Sequence, residues 1–226
     1  MKLLNKLGVL LLCCMMSISC ASTLQREGSI NPSIENIYLS SVTIKDCSGK
    51  SYGSGTIIHN GVGQRMFILT AAHVVAAVQG NKKKTCVSTA YDSILRPVGV
   101  YKIDPKIDLA LLYGKKKETK KGPAVKISLY APNIGDSVRV IGTPLGSDRT
   151  VTDGIVSNFE TMEGIDLYRT TAATYYGNSG GGMFNSKGEL IGVAHAILEA
   201  RRTMFTTQVV PGGFFFVSLK TIRTFM

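Results

Sequence analysis

Gly177-Asn178-Ser179-Gly180-Gly181 sets a serine hydroxyl inside a glycine-rich turn. Glycines let backbone N–H groups crowd around one oxygen, the arrangement a nucleophile needs if a tetrahedral oxyanion is to form beside it. Alone, such a stretch is as readily a plain turn. Two others change its weight. Thr70-Ala71-Ala72-His73 puts an imidazole ahead of an apolar run, and Asp108-Leu109-Ala110-Leu111-Leu112 puts a carboxylate at the head of a strand-like one. A serine hydroxyl attacks a carbonyl only when a base takes its proton; an imidazole does this, and an acid on its other nitrogen fixes its tautomer. His73, Asp108 and Ser179 are therefore the candidate catalytic residues. Asp104 is the rival acid, but its neighbour Pro105 favours a turn.

Working outward, the chain reads as short β runs separated by turn residues. Ile37–Lys45, Gly55–Asn60, Phe67–Thr70, Thr85–Ala90, Arg96–Asp104 and Leu109–Tyr113 precede a charged segment, Gly114–Pro123. Ala124–Ser128, Ser137–Gly142, Thr150–Phe159, Leu167–Thr171, Gly182–Phe184, Leu190–Ala196 and Phe214–Val217 follow it. This spacing suits barrels better than alternating strands and helices. Helix signals are few: Ala71–Val78 after the histidine, and a terminal helix capped by Ser218 and ending near Phe225.

The three blocks, in the order His, Asp, Ser, resemble the catalytic segments of trypsin-like serine proteases, most closely the bacterial HtrA/DegP-type protease domain. Gly53-Ser54-Gly55-Thr56 and Val140-Ile141-Gly142-Thr143-Pro144 are similar to two further HtrA segments, and the match runs over residues 37–217. The resemblance implies an all-β fold of two six-stranded antiparallel barrels of chymotrypsin type with a short C-terminal helix. The expected divisions are a first barrel at 34–113, a basic linker at 114–123, a second barrel at 124–217 and a helix at 218–226. It further implies a serine endopeptidase working through an acyl-enzyme, with the N–H groups of Gly177 and Ser179 as the oxyanion hole and Asn178 shaping the turn between them.

On the same basis Ala173, six before the serine, lies at the floor of the primary specificity pocket, with Thr174, Ala194, His195 and Ala196 as further substrate-side positions. A small uncharged floor implies cleavage after small or medium apolar residues, since preference for Lys or Arg calls for an acid there. His195 is expected foremost as a packed strand histidine, with contact to substrate or to Asp108 as the other reading. Asn178 stands where digestive relatives carry an aspartate, and no Ile-Val-Gly-Gly start is present. Control is accordingly expected from loop ordering around Ser147–Thr150 and Glu199–Gly213. Gly182 replaces the proline usual in HtrA proteins, which predicts a less rigid turn. With the chain ending at Met226, no PDZ domain is expected.

Residues 1–19 read as a secretory signal peptide, with Lys2 and Lys6 before the apolar stretch Leu7 to Ile18. Ser17-Ile18-Ser19 fits ordinary cleavage after Ser19, whereas Cys20 at the next position suggests a lipoprotein whose lipid would anchor it to a membrane. Residues 20–33 would then be a tether. The expected location is periplasmic or extracellular. Losing Lys2 and Lys6 takes the net charge from +11 to +9. Runs at Lys82–Lys84 and Lys115–Lys117, with Lys120 and Lys121, read as solvated turns; no aromatic residues interleave them, so nucleic acid is not an expected partner. Cys13 and Cys14 leave with the signal. Cys47 and Cys86 fall near strands that neighbour each other in the trypsin fold, and are either a disulfide or two separate buried thiols.

Gly177–Gly181 also satisfies the nucleophile elbow of α/β-hydrolases, but only Glu189 and His195 follow it closely and no aspartate comes after Ser179. His59, before Asn60-Gly61, is expected on an exposed turn. Neither an HExxH stretch nor a cysteine–histidine cluster with ligand spacing is present, so no metal or cofactor is called for. Two functions of different class remain: an exported endopeptidase acting on protein or peptide substrates, and a non-catalytic module of the same fold tethered to a membrane.

Overall fold

Hydrophobic strands that touch no water on either face decide how this chain is layered. The structure is a computed structural model and describes residues 30–58, 65–91, 93–115, 123–203 and 206–226. Residues 1–19, expected as a signal peptide, Cys20, most of the expected tether and linker, and His59 lie outside the described residues.

Strands β1 (Ser41–Asp46), β2 (Ser51–Ile58), β3 (Arg65–Thr70), β4 (Thr85–Ser88), β5 (Arg96–Pro97), β6 (Gly99–Asp104) and β7 (Leu109–Lys115) form one sheet, ordered β5-β4-β1-β2-β3-β7-β6. Strands β8 (Ser137–Gly142), β9 (Thr150–Met162), β10 (Ile165–Thr170), β11 (Gly182–Phe184), β12 (Leu190–Thr203) and β13 (Thr206–Ser218) close into a six-stranded barrel, β10-β13-β12-β11-β8-β9. Among the described residues, three short α-helices accompany them: α1 (Glu35–Ser40), α2 (Ala72–Gly80) and α3 (Leu219–Phe225). This is the expected all-β architecture with a terminal helix. The first sheet is a half-barrel rather than a closed one. Its edge strands β5 and β6 are consecutive in sequence and separated by Val98 alone, so the two edges must curl toward each other.

Three packed cores explain the apolar runs. Successive strand side chains point to opposite faces. On β7, Leu109 and Leu111 join a cluster shared between the sheets, while Ala110 and Leu112 join the interior of the first sheet. Phe67 and Leu69 of β3 likewise face the shared cluster, and Met66 and Ile68 face inward. On β13, Phe215 and Val217 face the shared cluster, and Phe214 and Phe216 fill the closed barrel. Each of these buried side chains larger than alanine contributes about 1.5–3 kcal/mol of transfer free energy. Residues 33–226 form one compact unit.

Two expected strands differ. Ile37–Ser40 belongs to α1, because Ile34, Ile37 and Tyr38 recur at helical spacing toward the shared cluster, and the Ser40 hydroxyl donates to the Ile37 carbonyl at 2.8 Å. Ala124–Ser128 forms no named strand. It makes single parallel bridges, Ile58 with Val125 and Ile127 with Leu190, and so stitches the half-barrel to the barrel. At the other end, Ser218 caps α3 by accepting the Thr221 N–H at 3.3 Å, which lays Ile222 and Phe225 onto the shared cluster.

Other ties hold the sheets in place. Cys47, just past β1, and Cys86 of β4 are joined in a disulfide with a Cα–Cα distance of 5.1 Å. The Arg149 guanidinium, from the loop between β8 and β9, donates to the carbonyls of Ser41 at 2.9 Å and Ser88 at 3.1 Å. Its partial burial lowers its pKa, and these carbonyls keep the half-buried cation hydrogen-bonded.

Candidate active site

Asp108 sits in the tight turn between β6 and β7 with φ of 53°, a left-handed conformation that aspartate tolerates better than bulkier residues. The turn aims the residue at the start of α2. That helix begins after Ala71, which has no side chain to cap it. Asp108 supplies the missing acceptors: its carbonyl takes the Ala72 N–H at 3.2 Å, and Oδ1 takes the His73 N–H at 2.9 Å. The same carboxylate therefore starts the helix and holds the histidine on it.

Its other oxygen is shared by two rings. Oδ2 lies 2.8 Å from His73 Nδ1 and 2.6 Å from His195 Nδ1. An ionised carboxylate only accepts hydrogen bonds, so each ring carries a proton on Nδ1. This settles the reading of His195, which reaches Asp108 from β12. The Asp108 side chain is 8% exposed, against 47% for His73 and 24% for His195. Burial pushes the Asp108 carboxyl up, but the hydrogen bonds from His195 and then His73 outweigh it and hold it well below the usual carboxylate range.

A folded-state pKa below the unfolded value stabilises the fold above the unfolded pKa, and that contribution fades as pH falls toward the folded one. Stability is therefore expected to decline below about pH 4. Asp108→Asn should flatten part of this decline, which acid titration followed by circular dichroism would measure.

The serine turn is built against the same wall. Ser179 is half-buried between β10 and β11. Gly180 has φ of 81°, and a Cβ there would overlap Thr70 Oγ1 and the Ser54 carbonyl, so only glycine fits. That contact packs the turn against the Thr70–Ala71 step leading to His73. Around Ser179, the N–H groups of Asn178, Gly180 and Gly181 donate to the carbonyls of Tyr175 (3.0 Å), Ala194 (2.8 Å) and Asn178 (2.7 Å). Among the described residues, the N–H groups of Gly177 and Ser179 donate to no protein acceptor. No hydrogen bond joins the Ser179 hydroxyl to the His73 ring in this resting arrangement, among the described residues; such bonds are often loose without substrate.

Why those two N–H groups stay free is legible in the neighbouring carbonyls. The Tyr176 carbonyl accepts the Leu145 N–H at 2.7 Å. Across a trans peptide this turns the Gly177 N–H the opposite way. The Gly177 carbonyl accepts the Ser54 hydroxyl at 2.8 Å, and the Asn178 carbonyl is taken by Gly181. Ser54 is fully buried, and its oxygen also accepts the Thr143 N–H at 2.9 Å. Ser54→Ala leaves the buried Thr143 N–H and the part-buried Gly177 carbonyl unpaired, at about 1–3 kcal/mol for the buried group. It should lower kcat with little change in KM, measured on a small apolar ester substrate.

The expected substrate-side positions lie on two segments, Ala173 and Thr174 after β10, and Ala194, His195 and Ala196 on β12. Ala173 is exposed, and its carbonyl accepts the Thr152 hydroxyl at 2.8 Å. Thr174 and Ala194 are buried, and Ala196 lies on β12 opposite Phe215. Asn178 is 4% exposed, with Oδ1 against Gly142 and no hydrogen-bond partner. Sequence gave no role to Ser54, although it stands in a Gly-Ser-Gly step where a buried hydroxyl meets close backbone.

A closed antiparallel barrel beside a half-barrel, with an Asp–His pair and a glycine-rich serine turn where they meet, defines the chymotrypsin-type class of folds. The trypsin-like peptidase domain family matches residues 53–193, more than half of the chain, and the chain belongs to that family. The periplasmic serine endoprotease DegP of Escherichia coli (strain K12) is 36% identical over 154 residues, covering 65% of this chain and 30% of the relative. The magnetosome formation protease MamE of Magnetospirillum gryphiswaldense is 35% identical over 156 residues, covering 66% of this chain and 19% of the relative. The chain thus spans less than a third of the length of these relatives. The HtrA-type protease AlgW with tripeptide shares the fold with a TM-score of 0.68, at 24% identity over 85% of this chain and 60% of that one. The serine endoprotease from Yersinia pestis gives a TM-score of 0.65, at 26% identity over 85% of this chain and 63% of that one.

Proposed function

We propose that this protein is an exported serine endopeptidase in which Ser179 is the nucleophile, His73 its general base and Asp108 the acid that orients His73. Its relatives carry the names of periplasmic and magnetosome proteases, which supports both the activity and the export. The observation that carries the reading is the pair of unpaired N–H groups, Gly177 and Ser179, beside a hydroxyl whose neighbours pack against the His73 segment.

In this mechanism His73 Nε2 takes the Ser179 proton as Oγ attacks the peptide carbonyl. The tetrahedral oxyanion is bound by the N–H groups of Gly177 and Ser179, and donors of this kind are each worth about 10²–10³ in rate. Collapse expels the amine, which receives its proton from His73 and leaves an acyl-enzyme for water to cleave. Asp108 stabilises the transient imidazolium. Ala173 and the small residue Ala194 favour small or medium apolar side chains at the cleavage site; rapid hydrolysis of arginine substrates without cleavage after valine, alanine or leucine would overturn that preference. Loop ordering around Ser147–Thr150 is the proposed control, since the adjacent Pro144–Gly146 turn holds the Tyr176 carbonyl.

Labelling by a fluorophosphonate probe tests the reading. The native protein is expected to label, and Ser179→Ala and His73→Ala are expected not to. A folded native protein that stays unlabelled overturns it in favour of a binding module.

A further inference from the structure

The geometry points to His73, Asp108 and His195 as a site for a zinc-type divalent ion, which would switch hydrolysis off by capturing His73. One donor atom from each residue lies within 4.8 Å of the others. The two Nδ1 atoms converge on a single carboxylate oxygen at 2.8 and 2.6 Å. Zinc sits about 2.0–2.1 Å from nitrogen and oxygen ligands, which places tetrahedral donor pairs about 3.3 Å apart. The two nitrogen–oxygen contacts therefore open by about 0.5 and 0.7 Å, while the two nitrogens, within 4.8 Å of each other, close by up to about 1.5 Å. The His73 side chain is 47% exposed and the His195 side chain 24%, which gives the rings room to move and an ion a path from solvent. Meanwhile Oδ1 stays fixed by the His73 N–H, the kind of outer hydrogen bond that orients metal-binding carboxylates.

Two imidazoles and one carboxylate suit zinc, copper or nickel rather than magnesium or calcium, which prefer oxygen donors throughout. Three protein ligands also leave a fourth position for water. The spacing escaped the sequence because the ligands come from α2, the turn before β7 and β12.

Binding acts on the proton inventory. A neutral ring in this cluster carries its one proton on Nδ1, facing Asp108. An ion on that nitrogen needs its lone pair, so the proton leaves Nδ1 and one is taken up at Nε2 through water, with no net release. His73 Nε2 then holds a hydrogen and cannot accept one from Ser179. Inhibition follows from the tautomer alone, and this consequence rests on the proposed role of His73; the binding does not.

Cobalt(II) titration of the full chain without an added histidine tag, in the Ser179→Ala background, tests the binding. Expected is a visible absorption band of low-symmetry cobalt that zinc displaces, and that His195→Gln and Asp108→Asn both remove. Affinity should fall about 100-fold or more in each, beyond what loss of an outer partner does. A native chain without the band, or a band of equal strength in both variants, overturns the site. In the chain with Ser179 intact, zinc should cut fluorophosphonate labelling about tenfold or more, reversed by a chelator. Labelling that zinc leaves unchanged while the cobalt band is present overturns the switch. A chain that never labels condemns the protease reading, and the cobalt band still decides the site.

Discussion

Asp108→Asn is expected to lower turnover by about 10⁴-fold while leaving the fold in place. The asparagine carbonyl can still accept the His73 backbone N–H, and the main-chain carbonyl still accepts that of Ala72, so α2 keeps its start. What changes is the partner offered to two rings. With the amide oxygen on the His73 backbone N–H, the amide nitrogen stands where Oδ2 stood, and as a donor it cannot accept Nδ1–H from either His73 or His195. The wrong tautomer of His73 then faces Ser179. Asp108→Ala should go further, losing the helix cap as well, at about 1 kcal/mol of additional stability. Steady-state kinetics on an apolar ester, paired with urea unfolding of each variant, separates the two effects. An asparagine variant that retains most of its turnover would show that the carboxylate has no part in the chemistry.

Cys47→Ala with Cys86→Ala is expected to cost about 4 kcal/mol, by chain entropy for a bridge with a sequence separation of 39. The bridge ties the turn after β1 to β4, whose ladder with β1 already spans Thr43–Asp46 and Thr85–Ser88. Because a single bond is removed, each single variant should lose as much as the double one. Urea midpoints measured with and without reductant give the number: the native protein should shift under reductant, and the variants should not. A loss below about 1 kcal/mol would mean that the unfolded loop is restrained by other means.

Much of the fold is legible because its strands obey simple periodicity. Leu109–Leu112 reads as unbroken apolar sequence for the reason that both of its faces are covered. Ser218 announces its helix through ordinary capping chemistry. Ile37–Ser40 misleads, since IYLSSVTI is as β-like as it is helical and only the shared cluster selects the helix. The split at Val98 is set by a change of partner: β5 pairs back with β4, and β6 pairs forward with β7.

The site follows the same rule. The segments bearing His73, Asp108 and Ser179 announce themselves through short-range pattern. Ser54 and His195 matter through partners far along the chain, Gly177 and Asp108, which no local pattern encodes. By sequence, Gly182 stands where a proline would stiffen the turn. A Cβ there would meet the Phe184 ring at 2.5 Å and Thr56 Oγ1 at 2.7 Å, so the space is already taken and the glycine is a packing requirement.

The Ser54 hydroxyl belongs to the half-barrel, yet it fastens a carbonyl of the closed barrel's serine turn. A nascent polypeptide that has completed only one of the two sheets lacks that fastening. Under the proposed role of Ser179, its hydroxyl is then expected to stay unreactive until the two sheets have docked.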